Sequence, residues 1–196
     1  MPARSPIGAV IAGPNGAGKS TAAPALVRDL LEIREFVNAD AIAHGMSAFD
    51  PDAASIAAGR AMLARLHQLA EERRDFAFES TLASRTFAPW ISELRASGYS
   101  FALVFLWLPS PEIAIARVAR RVAAGGHSVP AATIRRRFDR GLANFFRLYQ
   151  TLADQWFAYD NNLIGRPRAI ARGRFAHETE IFDEAIWQVL QARRAK

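Results

Sequence analysis

Short, largely apolar stretches alternate along the chain with longer stretches in which apolar residues recur every three or four positions. The short stretches have the length of β-strands and lie at residues 7–12, 36–40, 76–78, 101–108 and 168–171. Residues 101–108 are apolar throughout, which is typical of a central strand that is covered on both faces. The alternation of the two patterns predicts an α/β fold with a parallel five-stranded sheet and helices on both of its faces.

The longer stretches predict helices at residues 21–31, 53–74, 86–96, 112–124 and 177–194. Ser110 followed by Pro111 is a typical start for the fourth of these helices. A further long helix is predicted after Pro130, because apolar side chains continue at helical spacing as far as Trp156. The length and the absence of a dividing linker predict a single domain over residues 1–196.

The segment between the first strand and the first helix matches the phosphate-binding P-loop motif G-x-x-x-x-G-K-[ST]. Glycines let successive backbone N–H groups face a phosphate, and the N-terminus of the helix adds partial positive charge. We expect Lys19 to reach the β- and γ-phosphates of ATP and the Ser20 hydroxyl to ligate Mg²⁺. The predicted nucleotide-binding residues are Gly13, Pro14, Asn15, Gly16, Ala17, Gly18, Lys19, Ser20 and Thr21.

The choice between lysine and arginine along the chain supports the interpretation of this segment as a P-loop. Of 25 lysines and arginines, only Lys19 and Lys196 are lysines. A chain that otherwise uses arginine therefore has a lysine where a flexible point charge differs from a planar guanidinium.

Composition narrows the class of protein. The sequence has no cysteine, which excludes disulfides and cysteine-ligated metal sites. No apolar run approaches the roughly 20 residues of a membrane span, and no signal peptide is evident, so we expect a cytoplasmic protein without a membrane partner. The net charge of +6 suits either nucleic acid or anionic small substrates.

Carboxylates follow two of the predicted strands, at the sheet edge where open α/β sheets bind ligands. Asp40 ends the second strand, where a carboxylate could accept the proton of an attacking hydroxyl in phosphoryl transfer. Asp40 could equally cap the helix that follows. Glu79 ends the third strand, where it could hold Mg²⁺ or, with a hydrogen bond from Thr81, the substrate; a solvated strand end is the alternative.

Seven arginines lie between Arg117 and Arg140. Arg117 and Arg121 are four residues apart on one helix, and Arg137 follows on the next. On a helical lid at about residues 117–140, such arginines would neutralise charge on the transferring phosphoryl group when the lid closes. A solvated helix face is the alternative, and it suits Arg120, Arg135 and Arg140.

With these motifs in this order, the chain resembles the zeta-toxin family of P-loop kinases, especially its short, single-domain branch described as predicted ATPases. The resemblance implies a kinase-like fold, ATP and Mg²⁺ as cofactors, and phosphorylation of a UDP-sugar hydroxyl, typically on UDP-N-acetylglucosamine. It implies that Asp40 is the catalytic base, that Glu79 and Thr81 lie in the substrate and metal region, and that Lys19 and Arg117 stabilise the transferring phosphoryl group. The resembling segments are residues 13–21, 37–40, 78–81, 117–130, 134–138 and 160–162.

The chain departs from the larger toxins at one position and leaves some functions open. Their second lid arginine would fall near Pro130 here, so Arg121 or Arg137 takes its place. The resemblance makes an antitoxin protein a candidate partner, beside an anionic sugar nucleotide as the small-molecule acceptor. A regulatory ATPase and a polynucleotide 5′-hydroxyl kinase are the alternative functions. Nucleic acid is the less favoured partner, because the aromatic residues occupy core positions instead of a basic stripe.

Overall fold

The computed structural model describes residues 4–47, 53–126, 128–163, 166–175 and 178–193. A mixed sheet of seven strands runs through this part of the chain, in the order β2-β3-β1-β4-β5-β6-β7. The first five strands in this order are parallel, and β6 and β7 extend the sheet in antiparallel fashion. The strands are β1 (Ile7–Ala12), β2 (Glu35–Val37), β3 (Phe76–Ser80), β4 (Ser100–Trp107), β5 (Gln155–Asp160), β6 (Arg168–Arg174) and β7 (Glu178–Ile181).

Helices connect the parallel strands and cover both faces of the sheet. Two π-helical segments interrupt the α-helices: Pro24–Asp29 continues the first helix, and Phe145–Tyr149 joins the sixth to the seventh. The α-helices are α1 (Lys19–Ala23), α2 (Ala39–Met46), α3 (Ser55–Glu71), α4 (Phe87–Ala96), α5 (Pro111–Ala123), α6 (Ala131–Asn144), α7 (Gln150–Leu152) and α8 (Glu184–Ala192). Within the described ranges, no helix has the length and apolar character needed to cross a bilayer.

The sheet separates two hydrophobic cores, and β4 contributes to both. Phe101, Leu103 and Phe105 face the core that contains α4, α8 and the π-helical segment of residues 145–149. Ala102, Val104 and Leu106 face the core beneath α1 and α5. In the first core, the rings of Trp156 on β5 and Trp187 on α8 stack 5.5 Å apart and only 10° from parallel. The predicted central strand is therefore covered on both faces, as its unbroken apolar sequence requires.

The predicted parallel α/β arrangement is confirmed, but its fifth strand was assigned to the wrong residues. The predicted long helix ends at Leu152, and Trp156 lies fully buried on β5, the fifth parallel strand. Residues 168–171 do form a strand, β6, but it is antiparallel to β5. The helical spacing of Leu152 and Trp156 continued by coincidence across the helix end, since Trp156 and Ala158 also fit the alternation of a strand.

The start predicted for the last helix was also wrong. Residues 178–181 form the edge strand β7, and α8 begins only at Glu184. Asp183 caps this helix by accepting a hydrogen bond of 3.0 Å from the Ile186 amide, so the helix begins where a side chain satisfies its first amides. His177, the predicted first residue, lies outside the described residues.

Candidate active site

The P-loop connects the end of β1 to the start of α1 and is enclosed by two other parts of the chain. Gly16 and Gly18 have φ angles of 76° and 79°, a conformation that side chains rarely adopt. A Cβ atom on Gly16 would lie 2.7 Å from the Ala114 carbonyl oxygen, and one on Gly18 would lie 2.7 Å from Asn161 Nδ2. Both glycines are therefore needed for the close approach of α5 and of the segment after β5.

Lys19 lies beneath this loop with only 5% of its surface exposed. Its Nζ donates hydrogen bonds of 3.0 Å to the carbonyl oxygens of Gly13 and Pro14, and it lies 3.5 Å from Glu79 Oε1. Burial lowers the pKa of the Lys19 ammonium, and the carboxylates of Glu79 and Asp40 oppose that shift. Asp40 is thus close enough to the P-loop lysine to influence its charge.

Ser20, Asn38 and Glu79 bring three polar side chains together where β1, β2 and β3 end. Glu79 Oε2 accepts hydrogen bonds of 2.7 Å from the Ser20 hydroxyl and from Asn38 Nδ2. The β1–β3 register explains the meeting, because Ile11 pairs with Glu79 and the P-loop begins two residues after Ile11. The hydroxyl and carboxylate oxygens are hard donors of the kind that Mg²⁺ prefers.

Asp40 lies in the first turn of α2, next to this cluster. The cap of that helix is Asn38, whose Oδ1 accepts a hydrogen bond of 3.0 Å from the Ala41 amide. Because Asn38 caps the helix, the alternative role of Asp40 as its cap is excluded. The Asp40 side chain is 56% exposed and lies 3.9 Å from Arg121 Nη1. Its carboxylate is therefore accessible to a substrate and has a cation beside it.

Arg117 and Arg137 contact the P-loop in different ways. Arg117 is 8% exposed and donates to the carbonyl oxygens of Gly16, Asn161 and Asn162 at 3.4, 3.0 and 2.7 Å. Burial lowers the pKa of the Arg117 guanidinium. Arg137 Nη1 lies 3.4 Å from Asn15 Oδ1. Arg117 thus ties α5 to two loops, while Arg137 reaches the P-loop from α6.

Thr81 follows Glu79 but has a local contact in this structure. Its hydroxyl accepts a 3.4 Å hydrogen bond from the Ala83 amide, and its carbonyl group packs against Gly141 of α6, where a Cβ atom would clash. The predicted site residues thus fall into two groups. Lys19, Ser20, Asp40, Glu79 and Arg121 form one cluster, and Arg117, Arg137 and Thr81 surround it through contacts to loops.

Sequence reasoning gave no role to two asparagines at this site. Asn38 joins Glu79 to the helix that carries Asp40, as described above. Asn161 follows β5, is fully buried, and donates a hydrogen bond of 2.6 Å from Nδ2 to the Ala17 carbonyl oxygen. Both asparagines follow the carboxyl end of a parallel strand, and that position is the signal that could have identified them.

The AAA domain family matches residues 9–148, which is well over half of the chain. An uncharacterized protein of Haemophilus influenzae is 29% identical over 126 residues, which cover 64% of this chain and 88% of that protein.

Solved structures share the fold at low sequence identity. A structure of the PezAT chromosomal toxin–antitoxin system of Streptococcus pneumoniae has a TM-score of 0.62 and 14% identity over 98% of this chain and 87% of that chain. The AvrRxo1-ORF1:-ORF2 complex with ATP has a TM-score of 0.70 and 14% identity, and covers 97% of this chain. This chain spans 64% of that one, which is less than two thirds of its length. A gluconokinase from Sinorhizobium meliloti has a TM-score of 0.50 and 17% identity over 81% of this chain and 84% of that chain.

The phosphate-binding motif, its position between β1 and α1, and the family match over most of the chain lead to the same assignment. The chain belongs to the AAA domain family, and its P-loop at residues 13–21 lies in an α/β fold that resembles those of small-molecule kinases.

Proposed function

We propose that this protein is an ATP- and Mg²⁺-dependent phosphotransferase that moves the γ-phosphoryl group of ATP to a hydroxyl group of an anionic small molecule. The cluster of Lys19, Ser20, Glu79 and Asp40 at one edge of the sheet carries the proposal. It combines a P-loop lysine and candidate metal ligands with an accessible carboxylate whose charge acts on that lysine.

The P-loop amides and Lys19 hold the phosphates in this proposal. The Lys19 ammonium is bound to two P-loop carbonyl oxygens, so it needs only a short movement to reach a β- or γ-phosphate oxygen. The Ser20 hydroxyl and the Glu79 carboxylate would hold Mg²⁺, and Asn38 keeps that carboxylate in place. When bound, the metal would supply positive charge that offsets the negative charge developing on the phosphoryl group during transfer.

Asp40 is the proton acceptor in the transfer step. The acceptor hydroxyl oxygen forms a bond to the γ-phosphorus as the bond from that phosphorus to the β–γ bridging oxygen breaks. ADP leaves with the bridging oxygen, and the hydroxyl proton passes to the Asp40 carboxylate. Arg121, beside Asp40, offers a cation to the transferring group. We propose that residues 117–140 form the lid over the bound phosphates, because Arg117 and Arg137 contact the P-loop from two helices of this segment.

The resemblance to zeta toxins favours a nucleotide-sugar acceptor, with UDP-N-acetylglucosamine as the leading candidate. The net positive charge and the arginines of α5 and α6 suit such an anionic compound. The same resemblance, together with the fold shared with a protein of the PezAT toxin–antitoxin system, supports an antitoxin protein as a partner.

The test is an acceptor screen with Mg²⁺ and ATP over UDP-sugars, other sugar nucleotides and short oligonucleotides, in which mass spectrometry detects an added phosphate. We expect a phosphorylated sugar nucleotide, and we expect Lys19→Ala to abolish its formation. Release of ADP without a phosphorylated product would overturn the proposal in favour of a regulatory ATPase. A phosphorylated oligonucleotide would show a polynucleotide kinase instead.

Substitution of Asp40 tests its role as the base. Asparagine keeps the size of the side chain but cannot accept the proton, so Asp40→Asn should lower kcat by about 10²- to 10⁴-fold while ATP binding is retained. Asp29→Asn is the matched control, because Asp29 is an exposed aspartate that pairs with its neighbour Arg28. An unchanged kcat in Asp40→Asn would disprove the assignment.

A further inference from the structure

A polar pocket lies between the segment that follows Thr81 and helix α6 with its π-helical continuation. It has a volume of about 450 Å³, and charged side chains dominate its lining: Arg85, Arg140 and Arg147, with Asp139 as the single carboxylate. The volume is in the range of small-molecule sites. The pocket therefore has room for a phosphate-bearing group and an excess of positive charge.

The three arginines have no paired carboxylate in the part of the chain that the structure describes, although Asp139 also lines the pocket. None of them forms a side-chain hydrogen bond or an ion pair with the residues that the structure describes. Other arginines are paired: Arg135 on the same helix contacts Glu112, and Arg95 lies 2.6 Å from Asp154. Arg85, Arg140 and Arg147 are exposed, and guanidinium groups that line one pocket without a protein partner can donate hydrogen bonds to an anion there.

The walls of the pocket are held by buried contacts. Asn144, which is buried, donates a hydrogen bond of 2.7 Å from Nδ2 to the Leu82 carbonyl oxygen. The Tyr149 hydroxyl donates one of 2.7 Å to the Ser84 carbonyl oxygen. Gly141 lets α6 lie directly against the backbone of Thr81. The two sides of the pocket are thus fixed relative to each other before any ligand binds, which lowers the entropic cost of binding.

Helix α6 also relates this pocket to the P-loop. Arg137, which contacts Asn15 of the P-loop, precedes Arg140 on the same helix by three residues, or roughly 4.5 Å along the helix axis. On the opposite wall, Ala83 follows Glu79 by only four residues. The pocket and the contact to the P-loop therefore lie on the same helix, about one turn apart at Arg140.

We propose that this pocket binds a phosphate or diphosphate group of the acceptor, with Arg85, Arg140 and Arg147 as its hydrogen-bond donors. Planar guanidinium groups match phosphate oxygens in bidentate fashion. The acceptor is then a phosphorylated compound whose reacting hydroxyl is separate from its phosphate. That the bound group belongs to the acceptor rests on the proposed kinase function. The anion site itself does not depend on catalysis.

A binding experiment tests the site without catalysis. The probe is inorganic pyrophosphate, titrated calorimetrically at low ionic strength into Lys19→Ala, in which the P-loop is impaired. We expect residual pyrophosphate binding that weakens by about tenfold or more when Arg140→Gln and Arg147→Gln are added. The matched control adds Arg34→Gln and Arg60→Gln, which remove the same charge from exposed positions outside the pocket and outside the lid. Absence of residual binding, or equal weakening in the control, would overturn the proposal.

Kinetics with the active enzyme separates this proposal from the proposed function. The Arg140→Gln/Arg147→Gln variant should raise KM for the acceptor by about tenfold or more and leave KM for ATP unchanged, while the control variant changes neither. If no acceptor is phosphorylated but pyrophosphate binding depends on Arg140 and Arg147, the anion site stands and the kinase function falls. If phosphorylation occurs with an unchanged acceptor KM in the variant, the function stands and the acceptor role of the pocket is wrong.

Discussion

Two glycine-to-alanine substitutions in helix interiors should change stability in opposite directions. Gly141 lies in α6 with the Thr81 carbonyl oxygen well inside 3.0 Å of the position that a Cβ atom would take. Gly59 lies in α3, and apart from its chain neighbours and the backbone of its own helix no atom of the described residues lies within 4 Å of its Cβ position. The chemical change and the type of secondary structure are the same, so only the packing differs.

The magnitudes follow from this difference. Alanine in a helix interior is more favourable than glycine by about 1 kcal/mol, so Gly59→Ala should stabilise the protein by about that amount. In Gly141→Ala the same gain is offset by a clash with backbone, which cannot rotate away as a side chain would. Overpacking of this kind costs roughly 1–3 kcal/mol, and a contact with a fixed carbonyl belongs at the upper end. The expected net result is a loss of about 2 kcal/mol.

Urea unfolding and calorimetry measure both effects. For a protein of this size, Gly141→Ala should lower Tm by about 4–8 °C and Gly59→Ala should raise it by about 2–4 °C, with no change in the denaturant m-value. If the Gly141→Ala variant is as stable as the parent protein, α6 can move away from Thr81 at little cost in free energy. In that case the fixed walls of the arginine pocket would also be refuted.

Two further predictions concern buried polar groups. Asn161→Ala removes the hydrogen bond to the Ala17 carbonyl oxygen, so it should lower the free energy of unfolding by about 1–3 kcal/mol. It should also weaken ATP binding, which calorimetry measures. An unchanged ATP affinity would exclude a role of Asn161 in shaping the P-loop. Burial raises the pKa of Tyr149 to about 12 from its ordinary value of 10.0, so the folded state favours the neutral phenol. The stability that this phenol contributes should be present below pH 10 and lost as the pH rises towards 12. Tyr149→Phe should therefore show a shallower alkaline loss of unfolding free energy than the parent, and parallel pH curves would contradict this.

The phosphate-binding part of the site was predictable from sequence because its determinants are local. The motif at residues 13–21 specifies the loop, and the ends of parallel strands meet at one edge, so the Mg²⁺ roles predicted for Ser20 and Glu79 required these side chains to lie close together. The distance of 2.7 Å between Glu79 Oε2 and the Ser20 hydroxyl agrees with that expectation. Helix starts with strong caps, such as Ser110 before α5, were predictable for the same reason.

The remainder depends on contacts that no local pattern encodes. Asn161 meets Ala17 across 144 positions of sequence, and nothing near either residue indicates the other. The role of Arg117 in phosphoryl transfer stays a prediction from resemblance. Its contacts with the carbonyl oxygens of Asn161 and Asn162 were not predicted, because these residues belong to a loop whose position depends on β5. Because the start of β5 was itself predicted as the end of a helix, the sequence pattern could not identify these hydrogen-bond partners.

The stacked pair of Trp156 and Trp187 should give the unlabelled protein an intrinsic circular dichroism signal. Two indole rings that are 5.5 Å apart and nearly parallel couple their electronic transitions, so the pair should give a paired positive and negative band in circular dichroism that isolated indoles lack. The signal depends on α8 remaining seated on β5. Circular dichroism of the unlabelled chain can therefore follow whether α8 stays packed on β5. In the same sample, it can show whether ligand binding at the P-loop changes the packing on the opposite face of the sheet.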